Sequence, residues 1–163
     1  MEQERPPRSR PRRGAGDDGA VLVEFALICP ILFLLIFGVI EFGWAFGQNL
    51  DVRHGAREGA RLAAVNFRST SATVGNAQRD ELVAEICSRL DTKTSVLVNL
   101  HRVGTTDVGQ VIEVRVKKPL DQLTHFLGFA LDGKELHSNV EARLEQDATW
   151  TSMASESYQS CPS

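Results

Sequence analysis

Two glutamates, Glu24 and Glu41, bracket the most apolar stretch of this chain. Between them runs FALICPILFLLIFGVI, sixteen residues (25–40) without a charge. A carboxylate at the centre of a bilayer costs on the order of 3 kcal/mol, and less at the edge, where it reaches headgroups. Each glutamate therefore either faces headgroups or finds a partner charge, and the second option makes Glu24 an ion-pairing group. Arg53, Arg57 and Arg61 recur at every fourth residue, as do Gly55 and Gly59, so each set forms one stripe on a helix. Cys29 lies in the apolar run as a small apolar residue. Cys87 and Cys161 lie beyond it, where they either bridge or remain a buried thiol and a solvent-facing one. His54, His101, His125 and His137 stand at spacings with no metal-ligand pattern, and GxSxG, P-loop and HExxH motifs do not occur. Charge pairing and packing are the chemistry these residues offer. No catalytic residue, metal or cofactor is expected, and the chain reads as a structural protein rather than an enzyme.

The elements that hold these residues follow from patterning. A chain of 163 residues supports one ordinary domain. Its 42% apolar content is the mean of unlike segments, because Phe25, Phe33, Phe37, Phe42, Trp44 and Phe46 crowd into one stretch. A spanning helix needs about 20 mostly apolar residues, so the run must extend through Glu24 or Glu41, which places a transmembrane helix over 20–47. Before it, Arg5, Arg8, Arg10, Arg12 and Arg13, with Pro6, Pro7 and Pro11, make a basic disordered leader over 1–19. The positive-inside rule keeps that leader cytoplasmic and sends the C-terminal domain out of the cytoplasm. Glu2, Glu4, Asp17 and Asp18 nearly cancel the basic arm, and the net charge of −3 argues against nucleic-acid binding.

Other leaders fit poorly. The apolar run is long for a secretory signal, Ile28 is not the small residue a lipoprotein site at Cys29 would want, and Arg12-Arg13 lacks a twin-arginine context. A basic leader ending at Gly19 and followed by AVLVEF looks instead like a type IV prepilin (class III) signal. That resemblance implies a cut by prepilin peptidase between Gly19 and Ala20, with Glu24 as the fifth mature residue, pairing with the N-terminal amine of a neighbouring subunit. An amine and a carboxylate in low dielectric attract strongly, and each is costly alone. GAVLVEFALICPILFLLIFGVIEFG followed by GAREGARLAA further resembles the TadE-like family, pseudopilin-like components of tight-adherence (Flp) pilus systems, over roughly residues 14–65. The family likeness includes Pro30, which removes the bond to the Ala26 carbonyl and bends the helix.

The resemblance implies a single-pass protein of the bacterial inner membrane that takes part in Flp pilus assembly. Its partners would be prepilin peptidase, other pilin-like and pilus-assembly subunits, and membrane lipid. The alternative is an unprocessed, signal-anchored scaffold whose outer domain binds envelope or secretion partners. Pro30, Glu41, Gly55, Arg57, Gly59 and Arg61 are the candidate helix-contact residues. The Gly55, Ala56, Gly59, Ala60 face admits either another helix or the protein's own sheet. Glu58 is placed to pair along the helix with Arg57 or Arg61.

Residues 48–66 extend the helix with the RxxxRxxxR stripe, and Asn66–Asn76 reads as a polar loop. AQRDELVAEICSRL is an amphipathic helix over 77–90, with Asn76 able to cap it. Val96, Val98 and Leu100, then Ile112, Val114 and Val116, alternate around the turn GTTDVG as a hairpin with one buried face, and Pro119 stops its second strand. Residues 120–129 read as a short amphipathic helix, and Leu136, Ser138, Val140, Ala142 and Leu144 as a third strand. The head over 67–147 is thus α+β, pilin-like, with one or two helices and a three-stranded antiparallel sheet; 148–163 reads as a flexible tail.

Overall fold

The computed structural model describes residues 15–67, 73–91, 94–124 and 127–162. The leader before Ala15, and with it the expected disorder and cytoplasmic placement of that arm, lies outside the described residues, as does His125. Helix α1 (Ala15–Ala64) carries the whole apolar run, with Pro30 inside it. The chain divides into two compact units, and the boundary falls within α1, after Val39.

In the first unit α1 begins at Ala15, before the expected junction at Gly19. No proline follows Pro11 there. From Val21 to Val39 the large apolar side chains are exposed, Leu22 at 68% and Ile31 at 70%, except the half-buried Phe37.

The second unit holds the rest of α1, then α2 (Asn76–Ser88), β1 (Leu97–Val103), β2 (Val111–Pro119), α3 (Gly128–Leu131), β3 (Glu135–Arg143) and β4 (Gln159–Ser160). The strands form one antiparallel sheet in the order β3-β2-β1-β4. Aliphatic residues, mostly β-branched, at every second position turn one side of the hairpin inward: Val98 stands opposite Val116, Leu100 opposite Val114, and Val114 opposite Val140. Val98, Leu100, Ile112, Val114 and Val116 are fully buried together with Leu82, Val83 and Ile86 of α2 and Val52, Ala56 and Ala63 of α1. Each large aliphatic side chain so buried contributes about 1.5–3 kcal/mol.

The α+β reading holds, with a long apolar N-terminal helix and an antiparallel sheet, but the sheet has four strands rather than three. β4 comes from the segment that reads as a loose tail. That segment buries Trp150, and residues 153–158 lie over the second face of the hairpin. There Asn99 Nδ2 donates to Ala154 O at 2.8 Å and to Ser157 O, and the Lys117 ammonium sits 4.4 Å from the Tyr158 ring centroid. The serine-rich composition that reads as a loose tail supplies a turn between buried anchors, with Ser157 N–H on Ala154 O.

Two local expectations also change. Asn76 is the first residue of α2, not its cap. The capping position is Gly75, whose φ of +67° favours glycine and whose N–H and C=O bond Thr149 and Thr151. Helix over 120–129 shrinks to α3, because the backbone from Leu120 to Thr124 is engaged elsewhere: Leu120 N–H bonds Lys134 O, and the amides of Asp121, Leu123 and Thr124 bond side chains of α1.

Candidate functional site

Gly19, Ala20 and Glu24 all lie within α1 and are exposed, as is Pro30. No side-chain hydrogen bond or ion pair of Glu24 occurs among the described residues. This part of α1 is the candidate membrane span: Gly19–Ala64 contains a stretch long and apolar enough to cross a membrane, and its most apolar window has no buried residue. An N-terminal apolar helix of this kind fits a membrane-anchored protein.

Glu41 has a different environment. Its side chain is 1% exposed, and its carboxylate accepts the N–H of Leu123 at 2.8 Å, the N–H of Thr124 at 2.9 Å and the Thr124 hydroxyl at 2.6 Å. Two turns on, Gln48 repeats the pattern. Its amide donates to Asp121 O at 2.6 Å, while its oxygen accepts the Asp121 N–H at 3.1 Å and Lys118 Nζ at 3.3 Å. Lys118, also 1% exposed, has its charge balanced by Asp121 Oδ2 at 3.1 Å. Seven residues separate Glu41 from Gln48, which puts both on one helix face. The segment after β2 therefore clamps α1 through polar groups. A headgroup-facing Glu41 does not describe this arrangement.

The same face continues into small residues. A Cβ at Gly55 would overlap the Leu90 side chain, and one at Gly59 would lie 2.8 Å from Ile86 Cδ1 and 3.2 Å from Val114 Cγ1. Of the two occupants open to this face, the structure seats the protein's own α2 and sheet there, so Gly55 and Gly59 are not available to a second helix. The arginine stripe lies elsewhere on α1: Arg53, Arg57 and Arg61 are exposed. Glu58 pairs with Arg61 at 3.8 Å and reaches Arg89 of the α2 C-terminus at 3.4 Å, solvent-screened contacts that add little to stability.

Cys87 and Cys161 form a disulfide with Cα atoms 5.6 Å apart, tying the C-terminal segment to α2, and Cys161 N–H bonds Val96 O. Cys29 is a free cysteine. Asn66, Gln78 and Thr149 form a polar hub that the sequence reading missed. Asn66 ends α1 in the left-handed region, φ 51°, with Phe67 N–H on Leu62 O and Asn66 N–H on Ala63 O. Its side-chain oxygen accepts from Gln78 at 2.8 Å and from Thr149, and its amide donates to Asp147 O. Gln78 stands four residues before Leu82 on the buried stripe of α2, and that spacing was the available signal.

Charges in the head are paired or spread. Arg115 donates to Glu113 at 2.7 Å, and that bond, reinforced by Asn139, holds the Glu113 carboxyl below its usual range; the same bond raises Arg115. Burial lowers Arg102, whose guanidinium sits 5.1 Å from the Trp150 ring centroid. No cluster of three or more His, Cys, Asp or Glu suited to a metal occurs among the described residues.

No curated protein and no solved structure matches this chain. The family model that does match is described as TadE-like protein, a pilus-associated structural family. It covers residues 19–61, from the predicted cleavage glycine through the apolar run to the last arginine of the stripe. The match coincides with the exposed apolar helix and with the small-residue face that the head covers. Together with that helix, the TadE-like match over residues 19–61 supports a Tad pilus-related membrane protein.

Proposed function

We propose that this protein is a pseudopilin-like subunit of Flp (tight-adherence) pilus assembly, anchored by a single pass in the bacterial inner membrane. Its N-terminus is cytoplasmic and its head extracytoplasmic. Prepilin peptidase cuts after Gly19, and the new amine of Ala20 pairs with Glu24 of a neighbouring subunit. The observation that carries this reading is the TadE-like match over 19–61, lying on a helix whose apolar side chains are uncovered. The Cys87–Cys161 disulfide supports an extracytoplasmic head, because such bonds persist in oxidising compartments. In this role the apolar helix packs laterally with other pilin-like helices and lipid, while the head stays a separate folded body.

Glycine at position 19 leaves the scissile peptide accessible, since no side chain shields the backbone. N-terminal sequencing of the membrane-extracted protein tests the reading. Ala20 as first residue, and retention of the leader in Gly19→Val, are the expected results. An intact leader in the wild-type chain would favour the unprocessed, signal-anchored scaffold, and any other mature N-terminus would contradict both.

A further inference from the structure

The two edges of the sheet end differently. Beyond β1 the C-terminal segment closes the edge: β4 pairs with Leu97 and Val98, Met153 N–H donates to Leu100 O at 2.8 Å, and Cys161 N–H donates to Val96 O at 3.0 Å. Beyond β3 no strand pairs with Glu135–Arg143 among the described residues. The register identifies the open groups. At the two ends of the β2–β3 ladder, Leu144 N–H donates to Gln110 O and Leu120 N–H to Lys134 O. Even-numbered residues of β3 therefore bond β2, and the N–H and C=O groups of His137, Asn139 and Glu141 face outward. Such an edge is a template for another strand.

Charge narrows what can add there. Arg53 and Arg57 of α1, both exposed, line one cleft of about 290 Å³ with His137, Ser138, Asn139 and Val140, and no acidic residue lines it. Arg53 and Arg57 stand four residues apart on the helix, about 6 Å. Alternate residues of a strand are about 6.8 Å apart, so carboxylates at i and i+2 of an added strand can meet both guanidiniums. We propose that the β3 edge takes an extended acidic segment of a partner protein as a fifth strand. Its backbone pairs with His137 and Asn139, and its alternate carboxylates face Arg53 and Arg57. Glu135, Glu141 and Arg143 toward the strand ends discourage indiscriminate pairing. A symmetric β3–β3 pair of two copies is disfavoured, because it would bring the arginines of both copies to one junction. The inference goes beyond pilus assembly and does not depend on cleavage at Gly19.

The test uses the full chain in detergent micelles and a blocked, fluorescent peptide that alternates Glu with Val, followed by anisotropy. The Glu peptide should bind saturably, and the Arg53→Ala/Arg57→Ala double variant should weaken it by at least about tenfold. His137→Pro, which removes an outward donor without touching the β2 ladder, should also weaken it, as should N-methylation of alternate peptide amides. Melting curves matching wild type establish that both variants fold. No saturable binding would overturn the proposal, as would equal binding of a Lys-for-Glu peptide or of the N-methylated one. Spontaneous homodimers of His137→Cys linked through that residue would assign the edge to a second copy instead and equally overturn it.

Discussion

Helix α1 contains two stretches with opposite relations to their surroundings. From Val21 to Val39 it presents large side chains, Leu, Ile, Val and Phe, nearly all of them exposed. From Val52 to Ala64 its inward face is mostly alanine and glycine, with Val52 and Leu62, and is buried under α2 and the sheet. Residue size therefore separates the two more sharply than apolarity does. Small residues allow the head to approach the backbone closely, while bulky ones form an apolar band too large for a soluble surface and suited to lipid. The glycines divide in the same way. An added Cβ at Gly38, Gly43 or Gly47 meets no atom within 4 Å, whereas at Gly55 or Gly59 it runs into Leu90 or Ile86.

The contrast is tested most strongly at the glycines. Gly59→Leu forces a branched side chain into Ile86 and Val114 and should destabilise the head by about 3 kcal/mol or more. Gly38→Leu, in the first stretch, where an added Cβ meets nothing within 4 Å, should leave it within about 0.5 kcal/mol of wild type. Chemical unfolding of the full chain in micelles, read through near-UV dichroism of the buried Trp150, measures both; equal losses would erase the distinction between the two stretches.

The glutamates give the next largest effect. Glu41→Ala strips the acceptor from the amides of Leu123 and Thr124 and should cost the head about 2 kcal/mol. Glu24→Ala should leave head stability unchanged in the same unfolding assay. A shared loss would mean that the apolar stretch is coupled to the fold of the head.

The smallest effect is acid sensitivity confined to the head. Because Arg115 lowers the Glu113 carboxyl in the folded state, its contribution is present above the unfolded value, about 4.3, and is lost as pH falls through the lower folded value. The partial solvent access of Arg115, 24% of its side-chain surface, screens the pair and keeps this to about 1 kcal/mol or less. Unfolding midpoints of wild type and Glu113→Gln measured from pH 6 to pH 3 should converge at the acid end. Parallel curves would place the acid sensitivity elsewhere.

Much of the fold was legible because burial on one face leaves a period. Val98, Leu100, Ile112, Val114 and Val116 announce a two-residue alternation, and Leu82, Val83, Ile86 and Cys87 a helical stripe. Trp150, β4 and Asn66 left no such trace. Each is a single residue or a very short strand whose burial depends on segments that arrive from about 70–80 positions away: Asn66 bonds Asp147 and Thr149, and Gln78 bonds Thr149. The candidate site was half legible. Spacing places Gly55 and Gly59 on one narrow stripe, yet a small-residue face is equally suited to a foreign helix and to the protein's own.

The order of neighbouring residues by itself determines the apolar run, the glutamates that bracket it and the resemblance to the TadE-like family, because these are properties of contiguous residues. The partners of those residues depend on distant ones. Glu41 meets Leu123 and Thr124, Gly59 meets Ile86 and Val114, and the closing of one sheet edge depends on a C-terminal segment held by Cys161. Local pattern sets what a surface is made of; only the folded chain sets which surfaces it covers itself and which it leaves open, because covering is a competition between segments far apart in sequence.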